Sequence, residues 1–584
     1  MNGQDEMNDP VLPDAQGEPE KSNDRSKTVW YIAGGCVLLI IIAVCVGLAI
    51  YFGLSIFGGG DPIASVTPKD SLMYINLDLT KAQSDNFNNI LKVFQEIAET
   101  EEPQDSTEAA DDFLGEEYGL NFVDDVLPWI GRHGSFVISN IDLTSEDIEY
   151  MLIVETRSRS KADDFVTKLI TAVEEKEGGS FETSEKDKAT LYTYKSAVPG
   201  SEDIVIARVG KFVYFSNSDD AILGSASLKK ADSLASDPNY KNALSALSKD
   251  RLATIYVGAE SYIELLKDMA GSDLFYGNST SFPDLSEYGM GGIAIGASFE
   301  DVGVRIDFAV AYDESNMGDF QKEMLSTVYL EPNGDDLVPE NTFFFLDANT
   351  SQNFGMYFQE DSPLYDQDMM ESFDLLEKEY GISVPELFDL LSGEFVIAVG
   401  PADDGLPVEL GETNVGFTIL ASTDDEEGFN AWFANLLDVA SQDMYVEYEV
   451  NNVTFGDYTL QEVSIQDFGE KYTALYYGAD NGFFFLGTSH GILEDGLVSK
   501  NTLATNTPYQ ETWKAFPSGS IPYMYFDMLG LVDLMKNNEA YSSMSDLDTM
   551  EKNLKKIPVV ALAVNEPADH VQSQTLIIFV DQGE

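Results

Sequence analysis

Gly487-Thr488-Ser489-His490-Gly491 is the segment of this 584-residue chain that fits a catalytic pattern. It matches G-x-S-x-G, follows the apolar run Phe483 to Leu486 and precedes a helix-like stretch. That is the context in which a sharp strand-to-helix turn lifts a nucleophilic serine above a sheet. On this reading Ser489 is the nucleophile, Asp527, Asp533, Asp546 or Asp548 orients the base, and His570 is the base, in the chain order Ser, Asp, His. His570 weakens the case, because Glu566-Pro567-Ala568-Asp569-His570 reads as the exposed tip of the last hairpin. Metal chemistry has less behind it. His133, His490 and His570 are isolated from one another, without ligand-like spacing. Asp403-Asp404-Gly405 and Asp424-Asp425-Glu426-Glu427 lack the alternating acids, the sixth-position glycine and the closing glutamate of a calcium loop, so they read as solvated turns. No catalytic, metal or cofactor-binding residue is therefore assigned, and a serine hydrolase stands as the alternative.

The elements around the motif supply a test, because the chain is duplicated. Leu234, Tyr256 and Leu265 recur as Leu503, Tyr525 and Leu534, and 503−234, 525−256 and 534−265 all equal 269. Residues 64–312 and 335–580 run through the same order of apolar strands, turns and amphipathic stretches, a period far beyond the roughly 20–50 residues of a solenoid repeat. The counterpart of the motif is Ser216-Asn217-Ser218-Asp219-Asp220, after Phe212-Val213-Tyr214-Phe215, and it lacks both glycines and the histidine. A turn that exists without the motif is a structural turn first.

Periodicity fixes the fold class. Leu72 to Leu77, Phe136 to Ile138, Tyr150 to Val154, Ile204 to Val209, Phe212 to Ser216 and Ala253 to Val257 read as strands, with a hairpin at Gly210-Lys211. Helices fall around Phe87 to Ile97 and from Lys161 to Lys176, spaced on Phe165, Leu169 and Val173. Gly291 to Phe299 and Val304 to Ala311 close the half as a second hairpin, and the second half repeats the series, with its helix on Phe429, Phe433 and Leu437. Many hairpins and few strand-helix-strand alternations predict an α+β fold with mainly antiparallel sheets. Thr100 to Asp112 is read as an acidic, exposed insertion. The domains expected are an acidic tail (1–27), a transmembrane helix with a glycine linker (28–60) and two repeats (61–330 and 331–584), with a cleft between the repeats as the place for a ligand.

Compartment follows from the N-terminal region. Thr28 to Gly60 carries no charge and exceeds the ~20 apolar residues that cross a bilayer. Lys21, Arg25 and Lys27 precede it, so the tail is expected in the cytoplasm and residues 61–584 outside a cell membrane, anchored by a single pass. The run is too long, and its flank too acidic, for a cleaved signal peptide. Cys36 and Cys45 both lie inside it, which leaves the exported part without disulfides, thiolate nucleophiles or cysteine-bound metals. The net charge of −69 repels phosphate backbones and anionic lipid headgroups, so no nucleic-acid partner is expected, whereas weak divalent-cation binding by the surface is compatible with it. Asn278, Asn349 and Asn452 open N-glycosylation patterns.

Val66-Thr67-Pro68-Lys69-Asp70-Ser71-Leu72-Met73-Tyr74 after one span, followed by Val126-Leu127-Pro128-Trp129-Ile130-Gly131 before Phe136-Val137-Ile138, resembles the bacterial domain of unknown function 3352 family. The second copy departs from it at Leu387-Phe388-Asp389-Leu390-Leu391-Ser392-Gly393. The resemblance implies a membrane-anchored envelope protein and brings no functional residues with it. The function expected is binding or scaffolding of an unknown envelope protein or ligand, without catalysis; a carrier of an apolar ligand is a further alternative, and it requires a hydrophobic cavity within one half.

Overall fold

The computed structural model describes residues 61–581 apart from 80–84, 99–109, 112–113, 117, 143–146, 187–188, 196–203, 264–287, 319–321, 324, 352–366, 403, 405–413, 445–446, 468–469, 538–546 and 569. The tail, the apolar run 28–60, both cysteines, Asn278, Asp403 and Asp546 lie outside the described residues. Among those described, no helix is long and apolar enough to cross a membrane.

The first half comprises β1 (Met73–Asp78), α1 (Asp85–Ile97), β2 (Ile130–Asp142), β3 (Asp147–Thr156), α2 (Arg159–Glu177), β4 (Ser180–Lys186), β5 (Ala189–Lys195), β6 (Ile204–Val209), β7 (Phe212–Ser216), α3 (Asp219–Ala226), α4 (Pro238–Ser245), β8 (Ala253–Gly258), β9 (Tyr288–Glu300) and β10 (Gly303–Met317). The second comprises β11 (Phe344–Asn349), α5 (Gln367–Tyr380), α6 (Val384–Leu390), β12 (Glu394–Pro401), β13 (Val415–Ser422), α7 (Glu426–Met444), β14 (Glu447–Phe455), β15 (Tyr458–Asp467) and β16 (Glu470–Asp480). It continues with β17 (Phe483–Gly487), α8 (His490–Leu497), α9 (Thr507–Trp513), β18 (Ile521–Asp527), α10 (Met528–Asn537), α11 (Leu547–Leu554), β19 (Val559–Val564) and β20 (Val571–Phe579).

All these strands form one antiparallel sheet. From one edge the order is β4, β5, β6, β7, β3, β2, β1, β8, β9, β10. It continues through β20, β19, β18, β11, β12, β13, β17, β16, β15 and β14. Read inward from either edge the two halves have the same order, so the α+β, antiparallel expectation and the repeated strand series both hold.

Alternation along each strand divides the core into two faces. On β3, Met151 and Ile153 join α3 and α4 through Ile222, Tyr240 and Ala243. Leu152 and Val154 point the other way, to Phe165 and Val166 of α2 and Phe87 of α1. The second half repeats this: Leu420 of β13 packs with Ile492 of α8 and Tyr509 of α9, and Ala421 with Phe429 and Phe433 of α7.

The two halves meet along paired edge strands. β10 and β20 pair from Gly303 opposite Phe579 to Ala311 opposite Val571, so backbone hydrogen bonds close the seam. Asp307 and Thr575 sit opposite one another at its middle, and the Thr575 hydroxyl donates to the fully buried Asp307 carboxylate at 2.8 Å. The Ser248 N–H (2.7 Å) and Arg305 Nε (2.9 Å) also donate to Asp307, which supplies the partners a buried charge needs. Gly303 has φ +140°, and a Cβ there would lie 2.1 Å from the Ile578 carbonyl oxygen, so only glycine fits where the seam begins. Most of Thr100–Asp112 lies outside the described residues, but Ala110 is buried and Asp111 accepts the Phe122 N–H, so the end of that insertion belongs to the core.

Candidate functional site

The serine of the G-x-S-x-G turn is a helix cap. Ser489 Oγ accepts the Ile492 N–H at 3.2 Å at the start of α8 and donates its proton to Asp404. Asp404 also accepts the N–H groups of His490 (2.8 Å) and Gly491 (3.2 Å), so it satisfies orphan donors of the helix N-terminus. Burial pushes the Asp404 carboxyl up, but the Ser489 hydroxyl and the Gly491 and His490 N–H groups outweigh it and hold the carboxyl below the ordinary aspartate range. In the first half Ser218 caps α3 in the same way, accepting the Ala221 N–H at 3.1 Å.

Of the remaining triad candidates, those among the described residues are engaged elsewhere. His570 stands in the β19–β20 turn at φ 62°, with Nδ1 3.2 Å from Glu314. Asp527 accepts the Leu529 N–H (2.9 Å) and Gly530 N–H (3.1 Å) at the start of α10. Asp533 lies within α10, and Asp548 is 3.7 Å from Lys536. His490, beside the serine, turns to Glu494 (Nδ1 at 3.5 Å) and packs at a tilt against Phe455, with ring centroids 4.8 Å apart. His133 is buried, and burial lowers its pKa and favours the neutral ring. Asp425 and Glu426 are taken by the Gly428 and Gly482 N–H groups, and among the described residues no group of three or more His, Cys, Asp or Glu side chains could hold a metal ion. Of the glycosylation patterns, Asn349 is buried and donates to the Glu331 carbonyl, which leaves its amide engaged.

A cavity of about 120 Å³ lies in the first half, between the sheet and α2. Its floor is Tyr150, Leu152 and Val154 of β3 with Ile204 and Ile206 of β6; its roof is Phe165, Leu169 and Val173 of α2. Spacings of two on a strand and four on a helix put each set on a single face, which is why the sequence builds these walls. Leu114, Tyr118, Val126, Trp129 and Ile130 close one side, and Phe181, Phe215 and Ser216 complete the lining. The buried Trp129 indole N–H has no acceptor among the described residues. The size approaches the ~150 Å³ of an engineered apolar cavity that stays dry and takes up benzene or xenon.

The matching place in the second half is filled with rings. By strand register Phe484 occupies the place of Val213, and Tyr477 that of Ile206. Counted from the helix starts at Arg159 and Glu426, Phe433 stands for Val166 and Phe429 for Ala162, while Leu436 keeps the aliphatic character of Leu169. Phe429 stacks on Phe484 at 4.1 Å, and Phe433 lies 4.6 Å from Tyr477 and 5.3 Å from Phe484. Reading the halves side by side for ring against aliphatic residue is the signal that would have located the cavity from sequence.

The family model described as "Protein of unknown function (DUF3352)" matches residues 32–580. No curated protein matches the chain. Among solved structures, crystal form III of TP0453 is similar over 46% of this chain and 86% of its own, at 10% identity and a TM-score of 0.22. Form IV covers 43% and 80% at 9% identity and 0.22, and form I 47% and 90% at 8% identity and 0.21.

Proposed function

Since the chain belongs to the DUF3352 family of proteins of unknown function, we propose a function from its own geometry: it is a membrane-anchored, extracytoplasmic binding protein of the cell envelope that holds an apolar ligand in its first half without catalysis. The cavity under α2 carries this reading, because an unfilled apolar space costs dispersion contacts that the second half, built on the same plan, does not forgo. The uncharged run Thr28 to Gly60 and its basic flank support the anchor and its orientation. Ser489, with its proton on Asp404 and its oxygen capping α8, favours binding over hydrolysis.

The test uses the full chain in lipid nanodiscs, titrated calorimetrically with 1-octanol and corrected with empty nanodiscs. Saturable binding that disappears in the Leu169→Phe, Ile206→Tyr double variant is the expected result. Equal uptake by both proteins, or none by either, overturns the reading. The orientation is checked by protease added to intact cells: digestion of residues 61–584 is expected, and protection refutes it.

A further inference from the structure

Beside the cavity lies a second, open cleft of about 610 Å³, and Tyr118 belongs to the lining of both. The inner space is walled almost wholly by aliphatic and aromatic side chains. The outer one is lined by Asp125, Thr167, Lys168, Thr171, Glu175 and Lys176, among others. An apolar chamber that shares one residue with a polar vestibule is suited to a molecule with two ends of different chemistry.

The charge of the vestibule narrows the class. The chain holds 33 lysines and arginines against 102 aspartates and glutamates, yet the vestibule has two lysines to two acids. Both lysines project from α2, the helix that roofs the cavity. Lys168 pairs with Asp125. The Lys176 ammonium lies over the Tyr118 ring, 4.9 Å from its centroid, which sets a positive charge at the residue shared by the two spaces. Asp124 and Asp164 also act on Lys168, so within the vestibule Lys176 is the positive charge beside which an anionic head can sit.

Resting on the binding function proposed above, we infer that the ligand is a single-chain amphiphile with an acidic head: its tail lies against Leu152, Leu169 and Ile206, and its carboxylate or phosphate lies in the vestibule beside Lys176. The inner volume suits a chain segment of modest length and not a whole multi-chain lipid.

The probes are octanoate, 1-octanol and octylammonium, titrated into the full chain in nanodiscs. Octanoate is expected to bind about fivefold more tightly than octanol, the upper range for one partly exposed charge pair, and octylammonium more weakly than either. Lys176→Gln should reduce the preference for octanoate to less than about twofold while leaving octanol binding unchanged, which separates a head contact from a folding defect. Octanol binding as tightly as octanoate, or a preference that survives in both Lys176→Gln and Lys168→Gln, overturns the acidic head and leaves the apolar site standing. Failure of all three probes to bind removes the apolar site itself.

Discussion

The two halves share a strand order, yet they solve the same interior in opposite ways. Under α2 the first half leaves about 120 Å³ unfilled between Leu169 and Ile206, whereas under α7 the second packs the rings of Phe433, Tyr477 and Phe484 against one another. On the other face the roles reverse. There the first half has a closed hydrogen-bond network: Asn76 donates to Ser135 at 2.8 Å, Ser135 to the Tyr74 hydroxyl at 3.0 Å, and Tyr74 and Tyr240 to Asp61. By register the second half has Phe345 for Tyr74, Asp347 for Asn76 and Val396 for Ser135. Asp347 is only 1% exposed and lies against Glu394 and the Gly334 N–H, a buried acid beside a second acid where the first half has an amide. One half thus carries an open apolar space and the other a buried acid beside a second acid, at positions where the residues of the two copies differ. Differences between copies of one scaffold are where function or regulation is most economically sought.

The largest effect expected from exchanging these differences is at Asp347. Burial, then the Glu394 charge, push its carboxyl up to about 9, and Asp335 on the same network is raised to about 6, chiefly by burial. A folded-state pKa above the unfolded value of about 3.9 means stability that is fully present below pH 4 and is lost as pH rises through the folded value. The native chain should therefore lose stability from about pH 4 to 9, with the Asp335 share gone by about pH 6. Asp347→Asn, which installs the residue of the first half, should flatten that dependence and stabilise the protein at pH 8 by several kcal/mol. Denaturant unfolding from pH 4 to 9 checks it, and parallel curves for the two proteins would break the comparison.

Next in size is the exchange of rings. Phe433→Val with Tyr477→Ile, which installs Val166 and Ile206 of the first half, should open an apolar space in the second half at a cost of about 3 kcal/mol. Leu169→Phe with Ile206→Tyr should fill the first half, remove octanol binding and leave stability unchanged or higher by about 1 kcal/mol. Loss of stability in the filling variant would show that the first half is already well packed, and would remove the basis for a ligand there.

Much of the scaffold was legible because its elements announce themselves by period. The hairpin of β6 and β7 coincides with the ranges read from the sequence, with Gly210 at φ +61° in its turn. β4 (SFETSEK) and β14 (EYEVNNVTF) were not legible, since they are outer strands with few buried positions and carry no alternating apolar signal. The joining of both halves into one sheet was also hidden, because pairing between β10 and β20 depends on partners more than 250 residues apart in sequence and on no local pattern. For the candidate site the motif pointed to the wrong place: G-x-S-x-G was conspicuous, whereas the cavity consists of ordinary aliphatic residues and shows only against the rings of the other copy.

The smallest expected effect is also the one that separates architecture from chemistry at that motif. Ser218→Ala and Ser489→Ala each remove a cap and should each cost about 1 kcal/mol. Ser489→Ala should cost slightly more, because Asp404 also loses a charge-assisted donor. Asp404 adds an acid-side signature. Its depressed pKa gives stability that is present above the unfolded value near 3.9 and is lost as pH falls through the folded value. Without the Ser489 hydroxyl that carboxyl is less depressed, so the extra cost of Ser489→Ala should shrink as pH falls below 4, a change Ser218→Ala does not share. Unfolding curves of the two variants at pH 3 and pH 7 measure this directly. If Ser489→Ala instead leaves stability untouched and abolishes labelling by a serine-directed fluorophosphonate, the turn is a nucleophile elbow, and the second half has gained a reaction that its twin never had.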